Sequence, residues 1–295
     1  MKRFRANYTN NHLAALLSVW RLINATSDAI ATSQNMPARK NYWKRYLNDL
    51  SSDGLVVSKF VHSTSASGNG GRKIGEFYAL SEKGAEIIAE TLHMEPETVF
   101  FPHGGVQAKS PFQYPHRAAL IKLLAAFIGH EKSTENEQFA IMDLLPEYRY
   151  VGANRNGTGH KITSVSINDN GTLKSVIPDA IVRFRAGEVV RVAAVELHRT
   201  TSTAEIVEQL RKHTLAIEQR CFSDMFNQIP ANHVLSVYED TAKLANVIEA
   251  LRAGKIESFD RFAAGFHFAA LDDVFSVGLK NAFFKINKQK SEIFI

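Results

Sequence analysis

Cysteine is nearly absent: Cys221 is the only one in 295 residues. That excludes a disulfide framework and every zinc site built on paired cysteines. No uninterrupted apolar run reaches the ~20 residues needed to span a bilayer. The start, MKRFRANYTNNHLAALL, is basic but has neither the apolar core nor the small-residue cleavage site of a signal peptide. A cytoplasmic chain without a membrane span is the expectation. With only eight prolines, 45% hydrophobic and 22% charged residues, the composition is that of a globular protein. The length suits two domains of ordinary size. The net charge of +5 points toward a polyanion, and where the cations sit carries more weight than their sum.

The first hundred residues read as helices and a hairpin. Leu13, Leu16, Leu17, Trp20 and Ile23 recur at helical spacing. TSDAIATSQ reads as a short capped helix. After Met36-Pro37, Trp43, Tyr46, Leu47 and Leu50 form an inward stripe on a third helix, which Gly54 closes. LVVSKFVHS and KIGEFYAL are strands joined by the polar loop TSASGNGGR, and Ser81 caps a closing helix. Three helices, a hairpin and a helix is the order of a winged helix, here 1–92. Its third helix offers Arg39, Lys40, Lys44 and Arg45, and its wing offers Arg72 and Lys73. Cations on the two elements that would meet DNA predict duplex binding, the helix in a groove and the wing on phosphates. A charge run taken alone would simply be a solvated helix face.

Residues 93–115 hold four prolines and a glycine pair without periodicity, and read as an interdomain linker. HRAALIKLLAAFIGH is an apolar helix opening a second domain at 116–275. In the next segment, STENEQFAIMDLLPEYRY, Thr134 and Glu137 fit a capping box. From Lys161 to His198 the pattern is three consecutive antiparallel strands with Asn170-Gly171 as the stronger turn. Helix, strand, helix and strand follow, so the class is α/β (α+β), with a mixed sheet flanked by helices. The last stretch, 276–295, is a basic tail with lysines among aromatics. It suits single-strand contact, but packing of Phe283 and Phe284 on the body is the favoured reading.

Two acids stand out. Asp179 follows Pro178, and Glu196 ends the apolar run VVRVAAVELH. A turn at Ala186-Gly187 pairs Asp179 with Ala194, which places Glu196 diagonally on the same face, roughly 7 Å away. Unpaired carboxylates are costly to bury. A shared Mg²⁺ or Mn²⁺ reverses both the repulsion and the desolvation. A slip of one residue would place the two on opposite faces.

Pro178-Asp179, a hairpin and Glu196-Leu197-His198 resemble the core of the PD-(D/E)XK nuclease fold. The wider order resembles the replication-relaxation family of plasmid and mobile-element proteins, which includes MOBC-type relaxases. That order is a winged helix, His116 opening a helix, Glu135, Pro-Asp, then Glu-x-x-Arg-x-Thr leading into a helix. The resemblance covers roughly residues 10–270. It implies metal-dependent DNA nicking at a transfer or replication origin, through Asp179, Glu196, His198, His116 and Glu135, with other relaxosome or mobilisation proteins as partners. The chain departs from the fold's pattern where His198 occupies the place of a lysine. A neutral histidine supplies no permanent charge, and Arg211 and Lys212 on the next helix are the candidates to replace it. An inactive DNA-binding mobilisation protein and a regulator using only the winged helix are the alternatives. His103, His130, His160, His213 and His233 show no metal-ligand spacing and read as structural. Tyr148 and Tyr150 lack the three-histidine cluster that tyrosine relaxase chemistry needs.

Overall fold

The computed structural model describes residues 8–63, 71–103, 105–106, 113–133, 138–151, 160–199 and 201–294. Contacts divide the chain into Met1–Lys132 and Ser133–Ile295.

In the first unit the order is α1 (Asn10–Leu22), β1 (Asn24–Ala25), α2 (Ser27–Ser33), a 3-10 turn (Pro37–Arg39), α3 (Lys40–Ser52), β2 (Val56–His62), β3 (Lys73–Leu80), α4 (Glu82–Leu92) and α5 (Tyr114–Lys132). The local signals act as expected. The Thr26 hydroxyl accepts from the Ala29 N–H at the start of α2, and Ser81 accepts from Gly84 at the start of α4. Gly54, at φ 71°, turns the chain out of α3. Trp43, Tyr46, Leu47 and Leu50 are all buried, as the stripe requires. β1, too short to show a pattern in sequence, joins the hairpin to make an antiparallel sheet in the order β1-β3-β2.

Helix α5, expected in the second domain, belongs with the first unit. Leu120, Ile121, Leu124 and Phe127 are buried, Asn35 Nδ2 donates to the Gly129 carbonyl (2.9 Å), and Lys122 pairs with Asp28. The division therefore follows Lys132 rather than falling within 93–115. Part of that stretch is structured, with a 3-10 turn at Pro96–Thr98 and buried Val99 and Val106.

The second unit contains β4 (Phe139–Pro146), β5 (Tyr150–Val151), β6 (His160–Lys161), β7 (Val165–Asp169), β8 (Thr172–Val176), β9 (Ala180–Ala186), β10 (Val189–His198), α6 (Thr203–Glu218), α7 (Cys221–Met225), β11 (His233–Tyr238), α8 (Thr241–Arg252), α9 (Phe259–Phe262), β12 (Phe266–Ala270), α10 (Leu271–Ser276) and α11 (Leu279–Ala282). Its main sheet runs β12-β11-β10-β9-β4. β10, β11 and β12 are parallel, whereas β9 is antiparallel to both β10 and β4. The mixed sheet flanked by helices is the α/β architecture expected.

Two local expectations fail here. The segment credited with a capping box, whose Thr134 and Glu137 lie outside the described residues, continues as the edge strand β4. Pairing with β9 along its length, through a bulge between Ile141 and Asp143, overrides the helix signal. The stretch read as one strand through Pro178 is two strands in separate sheets, β8 and β9. Proline has no N–H to donate to a ladder, so pairing stops there. The Asn170-Gly171 turn forms as expected, both residues having positive φ.

One face of the main sheet, including Ile181, Ala194, Val234 and Phe268, is covered by Ile206, Leu210, Val247 and Ile248 of α6 and α8 and by β7. On the other face Phe294 stacks on Phe184 and packs on Phe139 and Phe283. Phe284 pairs through its backbone with Phe268. The C-terminal stretch is thus packed, the outcome the sequence favours. Among the described residues no helix is long and apolar enough to cross a membrane.

Candidate functional site

Asp179 and Glu196 share a face, but in a register displaced from the one expected. Ala186 pairs with Val189 and Ala180 with Val195. The hairpin loop is therefore Gly187-Glu188, with Gly187 at φ 59° in its first position. Continuing the pairing by one residue sets Asp179 directly opposite Glu196 instead of diagonal to it. The Asp179 carboxylate (Oδ2) accepts from the Leu197 N–H at 2.8 Å. Directly opposed positions bring Cβ atoms to about 5 Å, and the Asp179 charge is near enough to act on the Glu196 carboxyl.

Glu196 is 1% exposed. Helix α6 lies over it and supplies two side chains that the sequence motifs do not connect to the site. Gln209 Nε2 donates to Oε2 (2.5 Å), and Oε1 lies 2.5 Å from His213 Nε2. Burial, the Asp179 charge and Glu147 push the Glu196 carboxyl well above its usual range. Burial, with His198 adding to it, pulls the His213 imidazole down to about 3. The histidine is neutral at physiological pH, and its Nδ1 has no hydrogen-bond partner among the described residues. A search for metal-ligand spacing passes over His213. The signal that could have found it is helical periodicity: Gln209 and His213 are one turn apart, directly after the strand that carries Glu196.

A polar seam continues across the sheet. His198 is buried, and its Nε2 contacts Ser236 Oγ (3.0 Å), whose hydroxyl donates to the Tyr238 oxygen (2.8 Å). With the Ser236 proton committed to Tyr238, its oxygen accepts from His198 Nε2–H. His198 therefore faces an interior hydroxyl pair, a different setting from that of a lysine beside a scissile phosphate.

Glu196 forms part of the lining of a cleft of about 610 Å³ walled by Ile177, Thr201, Glu205, Glu208 and Lys212. The two glutamates are ionised, since Ser202 lowers the Glu205 pKa and Arg211 lowers that of Glu208. Of the two cations proposed to replace the nuclease lysine, Arg211 is engaged elsewhere. It forms a fork to Asp169 (2.6 and 3.1 Å) and another to Glu208. Lys212 alone lines the cleft. Among the described residues no three His, Cys, Asp or Glu side chains converge as a metal cluster. Two opposed carboxylates, one buried against its ionisation, still match the oxygen donors that a hard divalent cation prefers.

His116 is half-buried in the first turn of α5, in the first unit. Glu135 lies outside the described residues. Tyr148 is buried.

In the first unit, Arg39, Lys40, Arg45 and Arg72 are exposed. Arg45 lies over the rings of Tyr42 and Tyr46, with its guanidinium carbon 6.0 and 5.6 Å from their centroids. Lys44 and Lys73 both reach Glu76, at 3.5 and 3.1 Å, so part of their charge is already balanced.

No protein-family model, no curated protein and no solved structure matches the chain.

Proposed function

We propose that the chain is a DNA-binding protein of a plasmid or mobile element that nicks DNA with a divalent metal ion. The observation that carries the reading is Asp179, just before β9, bonded to the Leu197 N–H of β10 and near enough for its charge to help hold the neighbouring Glu196 carboxyl against ionisation. A protein spends stability on such a pair when the ionised form is needed with a ligand bound. Asp179 and Glu196 would hold Mg²⁺ or Mn²⁺, which would neutralise a phosphodiester and make water more acidic. Gln209 and His213 fix the Glu196 carboxylate, and Lys212 is the cation at the cleft able to meet a phosphate. The first unit would act as a winged helix, α3 entering a groove and the β2–β3 hairpin following the backbone, through Arg39, Lys40, Lys44, Arg45, Arg72 and Lys73.

A second reading has an observation of its own. His198 is buried on Ser236 and Arg211 is tied to Asp169, which leaves Lys212 as the only cation among the cleft's described walls. That arrangement favours a mobilisation protein that binds DNA on a nuclease-like scaffold without cutting it. The test is nicking of supercoiled origin DNA by purified protein with Mn²⁺ or Mg²⁺, stopped by EDTA and abolished in Asp179→Asn with duplex affinity unchanged. Tight duplex binding with no nicking under either metal selects the second reading.

A further inference from the structure

A cavity of about 410 Å³ in the first unit lies among α2, α3, β3 and the start of α5. Lys40, Lys44, Lys73 and Lys122 line it, against only two carboxylates, Asp28 and Glu76. Both acids are already paired: Lys122 holds Asp28 at 3.1 Å, while Lys44 and Lys73 share Glu76. Lys40 has no ion pair among the described residues. The wall therefore keeps an excess of positive charge after its own acids are satisfied.

Tyr78 is an independent observation at the same place. Its residue is 1% exposed and lines the cavity, and its hydroxyl has no hydrogen-bond partner among the described residues. Burial raises its pKa, with the Glu76 charge and the approach of that carboxylate to the hydroxyl adding to the shift, so the hydroxyl keeps its proton and is a donor. Glu76 stays outside hydrogen-bond geometry to it and is already shared by Lys44 and Lys73. A buried donor left unmade is destabilising unless a ligand completes it. Tyr114 adds a second phenol to the wall, also kept protonated by burial. It comes this near because residue 75 is glycine: a Cβ there would meet the Tyr114 oxygen at 1.8 Å.

We infer that this cavity binds a phosphate group. Compact ammonium charges and protonated phenols are all donors, and a tetrahedral dianion accepts from several at once. The volume also leaves room for a sugar-sized remainder. The group belongs either to a small phosphate ester or to the backbone of bound DNA. Three of its lysines, at positions 40, 44 and 73, are among the cations expected to meet DNA.

The test titrates inorganic phosphate and AMP into the full chain at constant ionic strength by calorimetry. Saturable one-site binding is expected. Tyr78→Phe should weaken it about tenfold or more, the loss of one hydrogen bond to a charged partner. It should leave thermal stability at or above wild type, which separates lost binding from lost fold. Lys40→Gln with Lys73→Gln should weaken binding further. A 16-base-pair duplex, followed by fluorescence anisotropy, identifies the source. Weaker duplex binding by Tyr78→Phe, with AMP displacing the duplex, assigns the site to the backbone. AMP binding to the protein–duplex complex, with duplex affinity unchanged in Tyr78→Phe, assigns it to a free phosphate ester. The inference is overturned if neither ligand saturates the protein at about 10 mM and Tyr78→Phe leaves duplex affinity alone. Phosphate or AMP binding that is indifferent to all three substitutions overturns it too. A protein that takes AMP but no duplex removes the DNA-binding proposal and leaves this one standing.

Discussion

Glu196 and His213 meet in the interior of the second unit, oxygen to nitrogen at 2.5 Å, with both side chains shut off from solvent. Their pKa values are displaced by one main cause. Burial penalises the carboxylate and the imidazolium alike, so the carboxyl rises and the imidazole falls to about 3. The pair is held as neutral groups, or as a carboxylate accepting from a neutral ring, and not as an ion pair.

Glu196→Gln should therefore stabilise the fold at pH 8 while removing any metal-dependent activity. A carboxyl whose folded pKa is raised favours the native state only below its unfolded value near 4.5, and that contribution is lost as pH rises through the folded value. A tenfold difference in proton affinity between the folded and unfolded chain is worth about 1.4 kcal/mol. A gain in stability is therefore expected in urea unfolding at pH 8, vanishing at pH 4. A large loss of stability at pH 8 would show that the ionised carboxylate holds the fold together.

His213→Ala should act in the opposite direction. It opens a cavity and leaves the buried Glu196 with one donor fewer, for a loss of about 2 to 4 kcal/mol. Denaturant midpoints for both variants separate the two roles, and similar effects from both would contradict the arrangement.

Acid should destabilise the second unit through two interior histidines, His267 buried and His233 half-buried. His233 Nδ1 lies 3.1 Å from His267 Nε2, and His267 Nδ1 lies 2.7 Å from Ser291 Oγ. Burial lowers both imidazoles from 6.5, His233 to about 4 and His267 to about 3, with Arg191 and Lys285 adding repulsion. A depressed folded pKa gives stability that is complete above 6.5 and is lost as pH falls toward the folded value. Unfolding free energy measured from pH 7 to pH 4 should fall steadily, and His233→Gln with His267→Gln should flatten that slope. An unchanged slope would mean that these histidines do not govern it.

Lys44→Ala with Arg45→Ala should weaken duplex binding and lower the slope of log affinity against log salt by about 2, one for each phosphate no longer neutralised. Because Lys44 is partly balanced by Glu76 and Arg45 is exposed, Arg45→Ala alone should account for most of the loss. Anisotropy across a salt series measures it, and an unaltered slope removes α3 from the interface.

Local chemistry determined much of this protein. Thr26, Ser81 and Ser202 cap their helices by side-chain oxygens that find N–H groups within three residues. The Asn170-Gly171 turn and the stripe on α3 were legible for the same reason, since their causes lie within one or two turns of chain. The two-residue period put Asp179 and Glu196 on one face, although the turn lay a residue further on than the pattern suggested. Only the tertiary structure decided the rest. β4 is a strand because β9 offers it a ladder, and α5 joins the first unit because α2 gives its apolar surface a partner. Gln209 and His213 reach Glu196 because α6 folds back over β10. Backbone pairing and burial depend on surfaces far apart in the chain, and no local pattern carries them.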